Sequence, residues 1–204
     1  TKTMSEGDNA PTYEVGKKVS LSELTNADAE DESLRKYKES LLGSAATGDV
    51  FSPKDDSRRV VIQEFGLILD GRDPISHQLG AGSIDDQKKA LKELKGKTFI
   101  LKENSQYKRK ISFKVQHEIV SGLKCVNKIH KKGIPKGITD EVMIGSFGPQ
   151  AEPHEIVLPR HQWEETPGGM IGRGNYTAKT SFIDDDGECH LEFEWTLKIG
   201  KTWE

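Results

Sequence analysis

Long apolar runs and cysteines are the features that this 204-residue sequence has least of. No apolar run approaches the roughly 20 residues needed to cross a bilayer, and the first fifteen residues lack the basic-then-apolar build of a signal peptide. The two cysteines, Cys125 and Cys189, are too few for a disulfide scaffold and lack metal-ligand spacing. We therefore expect a soluble, cytosolic protein that makes no stable membrane insertion.

Motifs of catalysis and cofactor binding are also scarce. The six histidines are scattered without the HExxH spacing of a metal site. The glycine-rich stretch 168–174 superficially resembles a phosphate loop, but no parallel strand precedes it and no helix follows, so a turn is the better interpretation. A net charge of −3 with both signs intermixed gives no support for a nucleic-acid partner. The sequence predicts no enzyme, no cofactor and no metal.

The first 56 residues differ in composition from the rest of the chain. They are rich in polar and charged residues and contain no alternating apolar pattern, so we predict a flexible arm over residues 1–56 and a folded domain over residues 57–204. Two short helical patterns lie in the arm, one over residues 20–24 and one over residues 31–43, where Leu34, Tyr37 and Leu41 share a stripe. Helices this short are marginal alone, so we expect a partner surface to order them; packing on the protein's own body is the alternative.

In the folded domain, apolar and polar residues alternate with the two-residue period of β-strands. Over residues 107–119 the side chains of Ile111, Phe113, Val115 and Ile119 fall on one face, with lysines on the other. Further strands are predicted near residues 60–69, 98–102, 123–131, 142–147, 155–158, 176–182 and 191–199. A hairpin turn over residues 184–187 joins the last two, and residues 70–96 read as a loop with a short helix around 86–94. Short strands without crossover helices predict an all-β fold, a β-sandwich.

Several segments resemble Rho GDP-dissociation inhibitors, and they run in that family's order. They are residues 31–38 (DESLRKYK), 40–43 (SLLG), 99–103 (FILKE), 110–113 (KISF), 118–124 (EIVSGLK), 145–149 (GSFGP) and 184–203. The resemblance covers the chain from about Tyr13 onward. It implies an immunoglobulin-like β-sandwich that encloses a geranylgeranyl group, with an N-terminal arm that forms a helix-turn-helix on a Rho-family GTPase.

The resemblance also implies which residues bind. Asp31 would contact switch I of the GTPase and Asp186 switch II, while apolar helix faces of the arm would come from Leu21, Leu24, Leu34, Tyr37 and Leu41. The isoprenoid pocket would draw on Leu67, Phe99, Tyr107, Ile119, Ala178, Phe193 and Trp195, each of which could equally be an ordinary core residue. The implied partner is a prenylated, GDP-bound GTPase, held by a monomer in a 1:1 heterodimer.

Two positions depart from the family pattern, and two other functions remain open at this point. Cys125 stands where an aromatic residue is usual, and Phe193 stands where tryptophan is usual, so the shape of the pocket is not fixed by the resemblance. One alternative is a general prenyl-binding chaperone that does not control nucleotide release. Another is a β-sandwich hydrolase, which would need a catalytic triad that the sequence does not present.

Overall fold

Ten strands form two facing sheets in the computed structural model, which describes residues 32–42, 53, 55–134 and 136–203. In chain order the strands are β1 (Val60–Leu69), β2 (Arg72–Gln78), β3 (Thr98–Lys102), β4 (Gln106–Val115), β5 (Val120–Lys131), β6 (Ile138–Phe147), β7 (His154–Leu158), β8 (Glu164–Glu165), β9 (Gly174–Ile183) and β10 (Cys189–Gly200). The helices are α1 (Glu32–Leu42), α2 (Ile84–Gly96) and α3 (Gly169–Gly172). Among these residues, no helix combines the length and the apolar character that a membrane span requires.

The two sheets have five strands each. The first has the order β2-β1-β4-β7, with β8 also pairing with β4, and every pairing in it is antiparallel. The second has the order β3-β10-β9-β5-β6, in which β3 and β10 are parallel and the other pairs antiparallel. This architecture confirms the predicted immunoglobulin-like β-sandwich.

An aromatic cluster fills the space between the sheets. The Trp195 ring of β10 lies 5.0 Å from the Phe65 ring of β1 and 5.6 Å from the Phe99 ring of β3, measured between centroids. The Phe65 and Phe193 rings are 5.2 Å apart. Phe193 and Trp195 of β10 both enter this cluster because side chains two residues apart point to the same face of a sheet. The Phe65–Phe193 and Phe99–Trp195 pairs are edge-to-face, and such pairs add about 1 kcal/mol beyond the burial of their area.

Several predicted boundaries need correction. The strand predicted over residues 107–119 ends at Val115, because His117 adopts a left-handed backbone (φ 68°) and turns the chain before β5. Ile119 therefore lies in the turn, half-buried, and does not continue the inward face of β4. The segment predicted as a loop over residues 70–96 contains the edge strand β2 as well as a helix, α2, that is longer than predicted.

The helix predicted over residues 31–43 is present as α1. The side chains of Leu34 and Tyr37 are exposed on it, and the side chain of Leu41 lies outside the described residues. The first helical pattern, with Leu21 and Leu24, and the Asp31 position lie outside them as well.

Candidate functional site

A cavity opens between the two sheets beside the aromatic cluster. Its volume is about 310 Å³. The inward faces of β5 and β10 lead from the core into it: Trp195 is followed on the same face by Leu197 and Ile199, and Asn127 is followed by Ile129. The cavity is lined by Tyr107, Asn127, Ile129, Ile138, Asp140, Gln162, Trp163, Glu164, Glu165, Thr166, Pro167, Tyr176, Leu197 and Ile199. The arrangement suits a ligand with an apolar body and a polar end at the mouth.

A chain of hydrogen bonds joins the cavity wall to the core. The indole Nε1 of Trp195 donates to Thr180 Oγ1 at 3.0 Å, and Thr180 Oγ1 donates in turn to Asn127 Oδ1 at 2.9 Å. All three side chains are buried. Since buried polar groups are costly without partners, these bonds fix the rotamers of Trp195 and Asn127 at the inner end of the cavity.

A buried arginine stands at one side of the cavity. Arg109 lies on the inward face of β4 with 1% of its side chain exposed, and its Nη2 donates to Asp140 Oδ2 at 2.5 Å and to Glu164 Oε1 at 2.6 Å. Glu164 belongs to the first sheet and Asp140 to the second, so the guanidinium bridges the two sheets. Burial lowers the pKa of Arg109, but the carboxylates of Glu164 and Asp140 more than offset this and hold the pKa above its usual value.

The neighbouring nucleophiles are held neutral. Burial raises the pKa of the Cys125 thiol to about 11. Burial, with the nearby Glu164 carboxylate, also raises the pKa of the Tyr107 phenol. Because a thiolate rather than a thiol is the nucleophile, Cys125 is placed as a small apolar residue of the core.

The residues that the resemblance implied for the pocket are distributed unevenly about this cavity. Tyr107 lines it. Leu67, Phe99, Ala178 and Trp195 are fully or almost fully buried in the packed core next to it, and Phe193 joins the same aromatic cluster. Ile119 lies at the opposite end of β4, in the turn.

Sequence reasoning missed Arg109, and among the residues that line the cavity it named Tyr107 but not Asp140, Glu164 or the others. The position of Arg109 could have been found from the alternation of β4, because Arg109 lies two residues from Tyr107 and from Ile111 and so shares their inward face.

A second feature is the hairpin between β9 and β10. Asp186 is exposed at its tip, where Gly187 takes a positive φ of 79°. Asp184 at its base is 3% exposed and accepts hydrogen bonds at 2.7 Å from Arg59 Nη2 and at 2.9 Å from the Glu188 backbone N–H.

The hairpin base is the centre of an ionic network. Arg59 Nη2 is 2.7 Å from Glu188 Oε2, Arg59 Nη1 is 3.2 Å from Glu118 Oε1, and His190 Nε2 is 2.9 Å from Asp184 Oδ2. Arg59 immediately precedes β1, where the predicted arm meets the folded domain. The network therefore ties the hairpin that carries Asp186 to the start of the sandwich.

Comparison with known proteins gives consistent matches over nearly the whole chain. The profile of the family described as RHO protein GDP dissociation inhibitor matches residues 1–202. A protein of Dictyostelium discoideum named as a rho GDP-dissociation inhibitor is 48% identical over 97% of this chain and 95% of its own length. The Rho GDP-dissociation inhibitor of Schizosaccharomyces pombe is 38% identical, over 96% of this chain and 89% of its own. The bovine Rho GDP-dissociation inhibitor 1 is also 38% identical, over 97% and 90%.

Proposed function

The chain belongs to the Rho GDP-dissociation inhibitor family, and on that premise we propose that it binds a prenylated Rho-family GTPase in the cytosol, retains its GDP and shields its geranylgeranyl group from water. The family's name states an inhibitor of GDP dissociation for Rho proteins. The finer parts of the proposal, which are lipid enclosure, extraction from membranes and a 1:1 complex, rest on the site and its physical chemistry.

The observation that carries the proposal is the cavity between the sheets. A prenyl chain of about twenty carbons anchored in a bilayer gains ~0.8 kcal/mol per buried CH₂, or roughly 10 kcal/mol or more in total. A carrier must offer comparable apolar burial, which a shallow surface groove does not provide. Ile129, Leu197 and Ile199 supply such a surface, and it continues directly into the aromatic cluster around Trp195.

The cavity volume bears on how a long lipid would fit. Because the core beyond the cavity is packed with Phe65, Phe99 and Trp195, a twenty-carbon chain that enters past Leu197 would displace core side chains or separate the sheets. We propose that the family residues Phe99, Ala178, Phe193 and Trp195 become the inner wall of the pocket when this happens. Leu67 would lie behind that wall, and Ile119 would contact the lipid from the turn between β4 and β5.

Two further contacts would hold the nucleotide switches. We propose that Asp186, exposed on a hairpin anchored through Asp184 and Arg59, contacts switch II. The exposed Leu34 and Tyr37 of α1 would contact the GTPase together with Leu21, Leu24, Asp31 and Leu41 of the same arm. Joining arm and sandwich in one chain makes the second contact intramolecular, so modest affinities combine.

The experiment that tests this follows fluorescent GDP release from a prenylated Rho-family GTPase on liposomes. The full chain should lift the GTPase into solution and slow GDP release, and the double variant Asp31→Ala/Asp186→Ala should do both poorly. Asp85→Ala on α2 is a matched control, since its side chain is 91% exposed and lies outside the proposed interface. Extraction without any change in GDP release would contradict the proposed control of nucleotide and would favour a general prenyl-binding chaperone.

A further inference from the structure

Large apolar side chains are exposed around one side of the cavity mouth. Met170 is 87% exposed and Ile171 83%, both on α3, while Ile138 at the start of β6 is 72% exposed. Ile134, in the loop between β5 and β6, is also exposed. Single exposed apolar residues are ordinary, whereas several in one place mark an interaction surface. We call Ile134, Ile138, Met170 and Ile171, with the lysines described next, the rim.

A groove of about 390 Å³ connects the rim to the cavity. It is lined by Ile129, Lys131, Ile134, Lys136, Ile138, Pro167, Gly168, Ile171, Gly172 and Tyr176. Four of these residues, Ile129, Ile138, Pro167 and Tyr176, line the cavity as well. A surface that touches the rim is therefore continuous with the apolar interior.

The charge of the rim is positive. Lys132 and Lys136 are exposed beside Ile134. Lys131 is more constrained: its ammonium donates to the Ile171 carbonyl oxygen and lies 5.7 Å from the Tyr176 ring centroid. No carboxylate lines the groove in the described part of the chain.

The acidic residues next to the rim and in the cavity wall are mostly engaged by other groups. Glu103 pairs with Arg173 at 3.2 Å and accepts from the Gly169 backbone N–H at 2.7 Å. Asp140 and Glu164 are held by Arg109, while the exposed Glu165 lines the cavity but not the groove. The groove is thus lined by apolar residues and lysines, whereas the carboxylates line the cavity.

We propose that the rim docks on an anionic phospholipid surface and presents the cavity mouth to the bilayer. The charge of the rim favours an anionic phospholipid surface, because lysines beside protruding apolar residues match anionic headgroups over an acyl layer. Continuity with the cavity supports the same choice, since a lipid leaving the bilayer at the rim would not cross water. The transfer of a lipid from the bilayer into the cavity rests on the proposed function, whereas docking of the rim on the membrane needs no GTPase.

The residues of the rim should contribute unequally to membrane binding. A lysine close to an anionic surface raises the partition coefficient by about fivefold. Lys132 and Lys136 together should therefore contribute about 25-fold, and Lys131 less, because its ammonium already contacts Ile171 and Tyr176. Met170 and Ile171 would add apolar burial at the depth of the headgroups.

The test is flotation of the full chain with vesicles in the absence of any GTPase. We expect binding to vesicles of phosphatidylcholine with phosphatidylserine, weak binding to phosphatidylcholine alone, and a decline with added salt. Lys132→Gln/Lys136→Gln should lower the partition coefficient at least tenfold, and so should Met170→Ser/Ile171→Ser. The matched controls on α2, Lys88→Gln/Lys89→Gln and Ile84→Ser, should bind as the parent does. Equal binding by rim and control variants, or no preference for the anionic vesicles, would overturn the proposal.

A second measurement separates this proposal from the proposed function. Binding of a soluble geranylgeranylated peptide, measured without membranes, should be the same for the rim variants and the parent, which also shows that the variants are folded. Peptide binding without vesicle binding would overturn the docking proposal alone. Vesicle binding that depends on the rim, with no peptide binding by the parent, would overturn lipid enclosure and leave the docking standing. Rim variants that lose GTPase affinity in solution while vesicle binding is unchanged would make the rim a protein interface.

Discussion

Arg109 shows how a single residue can place a charge beside an apolar cavity. Its Nε and Nη1 atoms are buried without a hydrogen-bond partner. The two carboxylates that contact Nη2 therefore offset the cost of burying the guanidinium charge. Breaking a buried ion pair by removing one side is strongly destabilising, because the other charge stays behind. The cost should depend on which side is removed, because Arg109 is buried whereas Asp140 and Glu164 are partly exposed.

We therefore expect the double variant Asp140→Asn/Glu164→Gln to lose about 3 kcal/mol of unfolding free energy. Arg109→Met should lose less, about 1 kcal/mol, because the two carboxylates can be hydrated once the cation is gone. Urea unfolding at neutral pH measures both. The reverse order of the two losses would contradict the burial argument.

Asp56 carries a predicted dependence of stability on pH. Hydrogen bonds from Arg58, strongest among its contacts, with a smaller one from Gln116, lower the pKa of Asp56 from 3.8 to about 2. A carboxyl whose pKa is depressed on folding stabilises the protein above its unfolded pKa, and that contribution is lost as pH falls through the folded value. Asp56→Asn should thus cost about 2 kcal/mol at pH 7.

The difference between parent and Asp56→Asn should shrink between pH 3.8 and about 2. Denaturant unfolding across that range measures it, with Asp55→Asn as the control, since Asp55 is exposed and adjoins Asp56 in sequence. A difference that stays constant with pH would show that the carboxylate is not the source of the stability.

Among the elements, the hairpin between β9 and β10 depends most on distant residues. Its turn is closed locally by the Gly187 N–H to the Asp184 carbonyl oxygen at 3.0 Å, but its base is held by Arg59 from the start of β1. Asp185 N–H also donates to the Ser121 carbonyl oxygen at 3.1 Å, which ties the turn to β5. Removing the Arg59 side chain should loosen the hairpin without leaving a cavity in the hydrophobic core.

We expect Arg59→Met to speed amide hydrogen exchange at Gly187 and Glu188 by about tenfold or more, because the Asp184 and Glu188 carboxylates lose their cation. GDP retention should weaken while binding of a geranylgeranylated peptide is unchanged. Arg58→Met is the control, since Arg58 pairs with Asp56 rather than with the hairpin. Unchanged exchange in Arg59→Met would mean that the turn is held by its backbone bonds alone.

Elements with one buried face were predictable from sequence, and others were not. The strands β4, β9 and β10 alternate apolar and polar residues because each has a buried inward face. The edge strand β2, with the sequence RDPISHQ, is mostly exposed and therefore carries no such alternation. Ile119 was assigned to β4 because alternation alone cannot locate a turn such as the one at His117.

At the scale of the whole molecule, the cavity is where the two sheets separate, and this could not be predicted from any one segment. Its wall combines β4, β5, β6, β8, β9 and β10, so the lining set depends on the register between strands distant in sequence. The resemblance pointed to the neighbouring core residues and to Tyr107. The alternation of β4 could have shown that Arg109 points inward, but only the folded sandwich shows that Asp140 and Glu164 meet it.

We expect a side chain that fills the cavity to block lipid binding while leaving the protein–protein contacts in place. Leu197→Trp should reduce the affinity for a geranylgeranylated peptide by at least tenfold, because the indole would occupy the volume between Ile129 and Tyr107. Binding to the unprenylated GTPase should be unchanged. Thermal unfolding of the variant reports any cost of overpacking, and Thr196→Trp, at the adjacent half-buried position on the same strand, is the control.

The position of β10 in the second sheet has a consequence for synthesis. This strand lies between β3 and β9, yet it is the last of the ten to be made. As the nascent chain leaves the ribosome, β5 can pair with β6 and then with β9, but β3 has to wait nearly a hundred residues for β10, its neighbour in that sheet. The apolar Phe99 and Leu101 of β3 stay uncovered during that interval, which makes this strand the natural point for a chaperone to engage.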